Sequence, residues 1–148
     1  MGFFNGAFGY PLFRINYSTT LPTDPAGTTS TTGVMSGLGI LATAKRTGNF
    51  FIITTSTCSS DTNNDGTTLQ LRYGTGTAPS NGAALTGTTI GNATTSAIGT
   101  ANQTYEISCS GIVSNLKIGT EYWFDLSNAS YIGGTSTAKS ITFNIREI

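Results

Sequence analysis

What most constrains this chain is a period of two, repeated in short segments and broken each time by Gly, Pro or Asn. Tyr105, Ile107 and Cys109 alternate with Glu106, Ser108 and Ser110. Tyr122, Phe124 and Leu126 alternate with Trp123 and Asp125, and Ile141, Phe143 and Ile145 alternate with Thr142, Asn144 and Arg146. Successive side chains of a strand point to opposite faces, so each segment reads as a strand with one face turned to a core. No stretch keeps a helical 3.6-residue apolar period over three turns. The expectation is an all-β chain of roughly seven or eight strands, an antiparallel β-sandwich or jelly roll. Tyr105, Ile107, Tyr122, Phe124, Ile141, Phe143 and Ile145 are expected to face inward.

The middle of the chain is less regular. Val34 to Ala44 and Asn49 to Cys58 read as two strands joined by Lys45-Arg46-Thr47-Gly48. Asp61-Thr62-Asn63-Asn64-Asp65-Gly66 reads as a turn, Thr68 to Tyr73 as the next strand, and the Gly/Pro/Ala/Thr-rich residues up to about Thr100 as one long loop. Phe50, Ile52 and Thr54 fall on one face of their strand, and Phe51, Ile53 and Thr55 on the other. A strand apolar on both faces is covered on both sides or lies at an oligomer interface.

Composition narrows the class. The 148 residues suffice for one domain, and only 9% are charged, with a formal net charge of zero. A nucleic-acid groove or a polybasic membrane patch needs clustered Lys and Arg, so neither partner is expected. Thr makes up roughly a fifth of the chain, far above average usage, and suits a pleated, half-wet surface. So little charge fits a protein held in a fixed assembly better than a freely diffusing monomer. The start, Met1-Gly2-Phe3-Phe4, has neither the basic region nor the apolar stretch of a signal peptide, and no apolar run is long enough to span a bilayer.

Two stretches are more specific than these bulk properties. One is Leu71-Arg72-Tyr73-Gly74-Thr75-Gly76-Thr77-Ala78-Pro79-Ser80-Asn81-Gly82, continuing to Gly87. The other runs from Gly111 through Leu116-Lys117-Ile118-Gly119-Thr120-Glu121-Tyr122-Trp123-Phe124-Asp125-Leu126. With Gly37-Leu38-Gly39, the Lys45–Gly48 turn, Asp65-Gly66, Gly133-Gly134 and the terminal Ile145-Arg146-Glu147-Ile148, they make residues 34–148 resemble a module of tailed-phage and prophage proteins. Such modules are similar to the C1q/tumour-necrosis-factor type of jelly roll, which commonly trimerises. The resemblance implies a homotrimer in contact with other virion proteins of the capsid or tail, assembled in the host cytoplasm and located in the virion. It brings no catalytic residues. Residues 1–33 lie outside it and read as an aromatic-rich N-terminal arm and linker before a jelly-roll domain at 34–148.

The chemistry is sparse. The chain has no His, which removes the commonest general base and every Ser-His-Asp or Cys-His arrangement. With seven acidic residues, a carboxylate pair for glycoside hydrolysis is conceivable in principle, but Asp125 between Phe124 and Leu126 reads as a strand-surface or hydrogen-bonded structural residue. No enzymatic activity, cofactor or metal centre is expected. Asp61, Asn63, Asp65 and Gly66 match the start of a calcium loop, but Arg72 stands where its bidentate acid belongs; an Asx-rich turn is the simpler reading and a weak cation site the alternative. Cys58 and Cys109, on different strands, read as buried free thiols, with a disulfide left open. Four Asn-x-Ser/Thr triplets, at Asn16, Asn92, Asn102 and Asn128, carry no information in a chain this rich in Ser and Thr.

Phe3, Phe4, Phe8, Tyr10, Phe13 and Tyr17 form an aromatic cluster whose spacing suits neither a clean strand nor a helix. They read either as a first strand completing the sandwich or, preferred, as an arm that docks on a neighbouring subunit or host protein. The leading expectation is a non-enzymatic trimeric capsid decoration protein. The alternatives are the receptor- or glycan-binding head of a tail or capsid fibre, with a host glycan as partner, and a surface-filament subunit.

Overall fold

The computed structural model describes residues 16–18, as backbone only, and residues 22–148. The chain is an all-β antiparallel sandwich, and no helix occurs among the described residues. Among the described residues nine strands run in the order β1 (Asn16–Ser18), β2 (Val34–Met35), β3 (Ile40–Thr43), β4 (Phe50–Ser60), β5 (Thr67–Gly74), β6 (Thr88–Thr95), β7 (Thr104–Val113), β8 (Glu121–Ser130) and β9 (Ser136–Glu147). One sheet has the order β1-β9-β4-β7; the other has β2-β8-β5-β6, with β3 pairing on β8 beyond β2. Apart from β2–β3 and β5–β6, every connection crosses from one sheet to the other, the wrapped path of a jelly roll.

The core follows the period of two. Phe50, Ile52 and Cys58 on β4, Leu69 and Leu71 on β5, Phe124 and Leu126 on β8, and Ile141, Phe143 and Ile145 on β9 are all buried between the sheets. Phe124 is the centre, with ring centroids 5.7 Å from Phe50 and 6.1 Å from Tyr73. Of the residues expected inward, Ile107, Tyr122, Phe124, Ile141, Phe143 and Ile145 are buried, while Tyr105 is half-buried at the strand's start.

The inner face changes character along β4. Beyond Ile52 it reads Thr54, Ser56, Cys58 and Ser60, all buried. At that end the sandwich is closed by hydrogen bonds instead of apolar contact. Ser136 Oγ lies 2.8 Å from Thr67 Oγ1 and 2.9 Å from Asn128 Oδ1, and the Thr67 N–H donates to Ser96 Oγ at 2.9 Å. Buried polar groups are tolerated when satisfied in this way.

Three elements differ from the sequence expectation. Val34 to Ala44 is not one strand but β2 and β3, separated by a break in which Gly37 takes φ +72°, a conformation that side chains rarely adopt. Residues 74–100 are not one loop, because they contain β6. Half of that strand is Thr, and Ile90 is its sole buried residue, so it shows no alternation. The pairing of β4 with β9 carries a bulge between Thr55 and Thr57, where the Ser140 N–H donates to Asp24 Oδ1 at 2.8 Å.

The segment before β2 is placed in part. β1 pairs antiparallel with β9, Asn16 opposite Arg146 and Tyr17 opposite Ile145, and Thr28 bridges Ser136. Phe3, Phe4, Phe8, Tyr10 and Phe13, and the side chain of Tyr17, lie outside the described residues.

Removing the central ring tests this core. Phe124→Ala is expected to lower unfolding free energy by about 3–5 kcal/mol, whereas Ile98→Ala, at an exposed position, should stay within roughly 0.5 kcal/mol of the unaltered protein. Urea denaturation read by far-UV circular dichroism measures both.

Candidate functional site

Five of the seven acidic side chains serve the backbone. Asp24 accepts the Ser140 N–H, and Asp61 Oδ1 accepts the Thr135 N–H at 2.7 Å. Asp125, fully buried, accepts N–H bonds from Gly37 and Leu38, each at 3.0 Å, and from Leu126 at 2.7 Å. Glu147 near the C-terminus gathers the whole Lys45–Gly48 turn: its Oε1 accepts N–H groups from Lys45, Arg46, Thr47 and Gly48 at 2.8–3.1 Å. A run of N–H groups converging on one oxygen is an anion nest, and here the anion is the protein's own. Burial pushes the Glu147 carboxyl up, but these backbone bonds outweigh it and lower its pKa.

Asp65 uses both of its oxygens. Oδ2 accepts from the Ser60 and Ser130 hydroxyls, each at 2.8 Å, and Oδ1 from the Ile132 and Gly66 N–H groups, also at 2.8 Å. Burial raises its pKa, but the bonds from Ser130, Ile132, Ser60 and Gly66 overcome that and hold it at about 2. Asn63 Oδ1 accepts the Ala101 N–H at 2.9 Å. The oxygens of the calcium-like segment thus pin its own loop to the loops at 99–101 and 130–135, the work of an Asx-rich turn.

Asp125 shifts the other way. Burial dominates, opposed by the Leu38, Leu126 and Gly37 N–H groups, and pushes its pKa to about 6. The hydrogen-bonded structural role expected for it is the one found, although β8 carries it on a covered face. The thiols of Cys58 and Cys109 are both free and buried. Burial raises both, Cys58 to about 11, so neither is a ready nucleophile near neutral pH. Cys109 pairs across from Thr54, four residues from Cys58 and on the order of 13 Å along the strand, beyond the reach of a disulfide. Among the described residues no three His, Cys, Asp or Glu side chains come together. Asn128, one of the four glycosylation-type positions, is buried.

What remains for function is the two outer faces. On the β1-β9-β4-β7 sheet, Ile112, Phe51 and Arg146 stand in one cross-strand row on β7, β4 and β9. Ile148 lies beside them, its N–H bonded to Asn49 O. Phe51 is 36% exposed, Ile112 59% and Ile148 48%, which makes an apolar patch at one end of this face. Farther along come Thr55 and Thr142, hydroxyls 2.6 Å apart, and then the row Glu106–Thr57–Lys139. The second face of β4 was legible from Phe51 and Ile53. Ile112 was not singled out, yet its signal was present: it is apolar in the phase otherwise held by Glu106, Ser108 and Ser110.

On the other sheet the outer face forms an open groove of about 320 Å³ over β8, β5 and β6. Thr68, Gln70 and Arg72 make its floor, Thr31 and Leu85 flank one side and Thr89 the other, and Tyr131 stands at the end. No protein-family model and no curated protein matches this sequence.

The two shifted carboxylates predict opposite pH effects. Asp65 is lowered in the fold, so its contribution to stability is present above about pH 4 and lost as pH falls toward 2. Asp125 is raised, so its contribution is greatest below about pH 4 and declines as pH rises toward 6. Urea midpoints measured from pH 2 to 7 should lose the acid-side fall in Asp65→Asn and the decline between pH 4 and 6 in Asp125→Asn. Above about pH 4 Asp65→Asn should also be less stable than the parent, because it swaps a charged acceptor oxygen for an amide facing N–H and O–H donors.

Proposed function

We propose that this protein is a non-enzymatic structural subunit, a trimeric jelly roll that decorates the capsid of a tailed phage. The observation that carries the assembly half of this reading is the apolar patch of Phe51, Ile112 and Ile148 on an outer sheet face. Stable interfaces bury roughly 800 Å² per partner around an apolar centre with a polar rim. This face has that grading, from the patch through Thr55 and Thr142 to Glu106 and Lys139. The phage setting is supported by the resemblance of residues 34–148, and a near-neutral surface suits a permanent assembly.

The service of the carboxylates as backbone anchors supports the non-enzymatic half. Acids whose oxygens already accept three or four protein hydrogen bonds have little capacity left to take a substrate proton. The aromatic N-terminal arm of Phe3, Phe4, Phe8, Tyr10, Phe13 and Tyr17 runs in sequence into β1, which holds Tyr17 and pairs Asn16 with Arg146, the residue across from Phe51. In this reading it grips the shell from the edge of the assembly face.

Light scattering at micromolar concentration is the test. The expected mass is three times that of one chain, and Phe51→Lys combined with Ile112→Lys should give a folded monomer. A monomeric parent protein would overturn the assembly reading, as would a trimer that survives both lysines.

A further inference from the structure

We infer that the groove on the outer face of the β2-β8-β5-β6 sheet is a binding site for an acidic oligosaccharide. This is independent of the assembly reading, which concerns the opposite face. Arg72 is the one charged side chain in the groove lining, and no Asp or Glu stands there with it. Its guanidinium is held in place by Nη1, which donates to the carbonyls of Thr86 at 3.1 Å and Gly87 at 3.3 Å. Its Nε is buried without an acceptor. The acid nearest by register is Asp125, directly across on β8, and that carboxylate is occupied by the N–H groups of Gly37, Leu38 and Leu126. A held guanidinium with no acid in the groove lining favours an anionic group on the ligand, which its Nη2, the nitrogen not taken by those carbonyls and not buried, can meet.

The rest of the lining decides what carries that carboxylate. Thr31, Thr68, Thr89 and Ser127 give hydroxyls, and Gln70 is fixed by its Nε2 on Ile90 O at 2.8 Å. Hydroxyls that both donate and accept match a ligand that is itself a chain of hydroxyls. Tyr131, 54% exposed, offers a flat amphipathic ring on which a sugar face can lie. A peptide fits less well. The lining is mostly hydroxyl and amide, and Leu85 is its one large aliphatic side chain, so there is little to hold apolar peptide side chains. A nucleic acid would need several cations along its backbone, and the groove has one. From the position opposite Arg72 to Tyr131, just past the end of β8, is six residues, about 20 Å, the length of several linked sugars.

The test uses the whole chain, with isothermal titration calorimetry and saturation-transfer NMR at low ionic strength. The probes are a hyaluronan tetrasaccharide, 3′-sialyllactose and, as neutral control, cellotetraose. At least one acidic probe is expected to bind about tenfold or more tighter than cellotetraose. Arg72→Gln should remove that preference. Ala93→Trp, which fills the groove from an exposed wall position, should abolish binding while leaving the circular dichroism spectrum and thermal midpoint unchanged. The inference is overturned if neither acidic probe binds, if charged and neutral probes bind equally, or if Ala93→Trp binds like the parent protein.

Discussion

The indole of Trp123 lies against Gly74 and Gly87, and a side chain at either glycine would occupy the space of its ring. Its Nε1–H donates to the Thr75 carbonyl at 3.2 Å. This contact lets β8 run through its sheet buried on both faces, with Phe124 turned to the core and Trp123 and Asp125 turned outward under the chain's own loops. The loop of residues 75–87 is therefore a cover for β8. Asp125 fastens the second part of that cover, taking the N–H groups of Gly37 and Leu38 where β2 breaks from β3. Asn81 closes the seam by donating its side-chain amide to Ser36 O at 3.1 Å. The two stretches most distinctive in the sequence are thus the two sides of one packed contact.

The strands with a clean alternation, β7, β8 and β9, were legible because each buries apolar groups on a regular phase. Legibility failed where burial comes from loops and not from periodicity. Nothing around Thr88–Thr95 announces a strand, since β6 is an edge whose exposed positions are Thr, Gly, Asn and Ala and whose one buried residue is Ile90. The β2–β3 break was hidden for a different reason: Val34 to Ala44 is apolar enough for one strand, and the interruption is imposed by a carboxylate 87 and 88 residues away. The same distance effect hid the outward burial of Asp125. Of the candidate surfaces, the second face of β4 could be read from Phe51 and Ile53. The groove could not, because it depends on Arg72, Thr89 and Tyr131 being brought together by register across three strands and their loops.

Charge is scarce here, and it is placed where it does the most for the backbone. A jelly roll has many crossing connections, each with N–H groups that a turn leaves unpaired. Asp24, Asp61, Asp65, Asp125 and Glu147 each take at least one such group, and the partners are mostly far off in sequence. A charged acceptor makes a stronger bond than a neutral one, so a few acids can fix many loops. Glu147 ties the chain's end to the β3–β4 turn, and Asp65 ties the β4–β5 turn to the β8–β9 turn. The same placement spreads the acids out: Asp61 and Asp65 share the β4–β5 turn, and Asp24, Asp125 and Glu147 each serve a different stretch of chain.

The two outer faces differ because they are built from different residues on the same pleat. Outward positions near the start of β4 and the end of β7 carry Phe51, Ile53 and Ile112, and those of β5, β6 and β8 carry Thr68, Gln70, Arg72, Thr89 and Ser127. An apolar patch gains from being covered by another protein surface, since water is released from it. A hydroxyl-lined groove gains little from that and is better matched by a hydrated, polar ligand. The faces lie on opposite sides of a sandwich whose sheets stack about 10 Å apart, so covering one leaves the other open. A subunit closed into an oligomer through β4 and β7 would turn its groove away from that contact, where a ligand in solution can reach it.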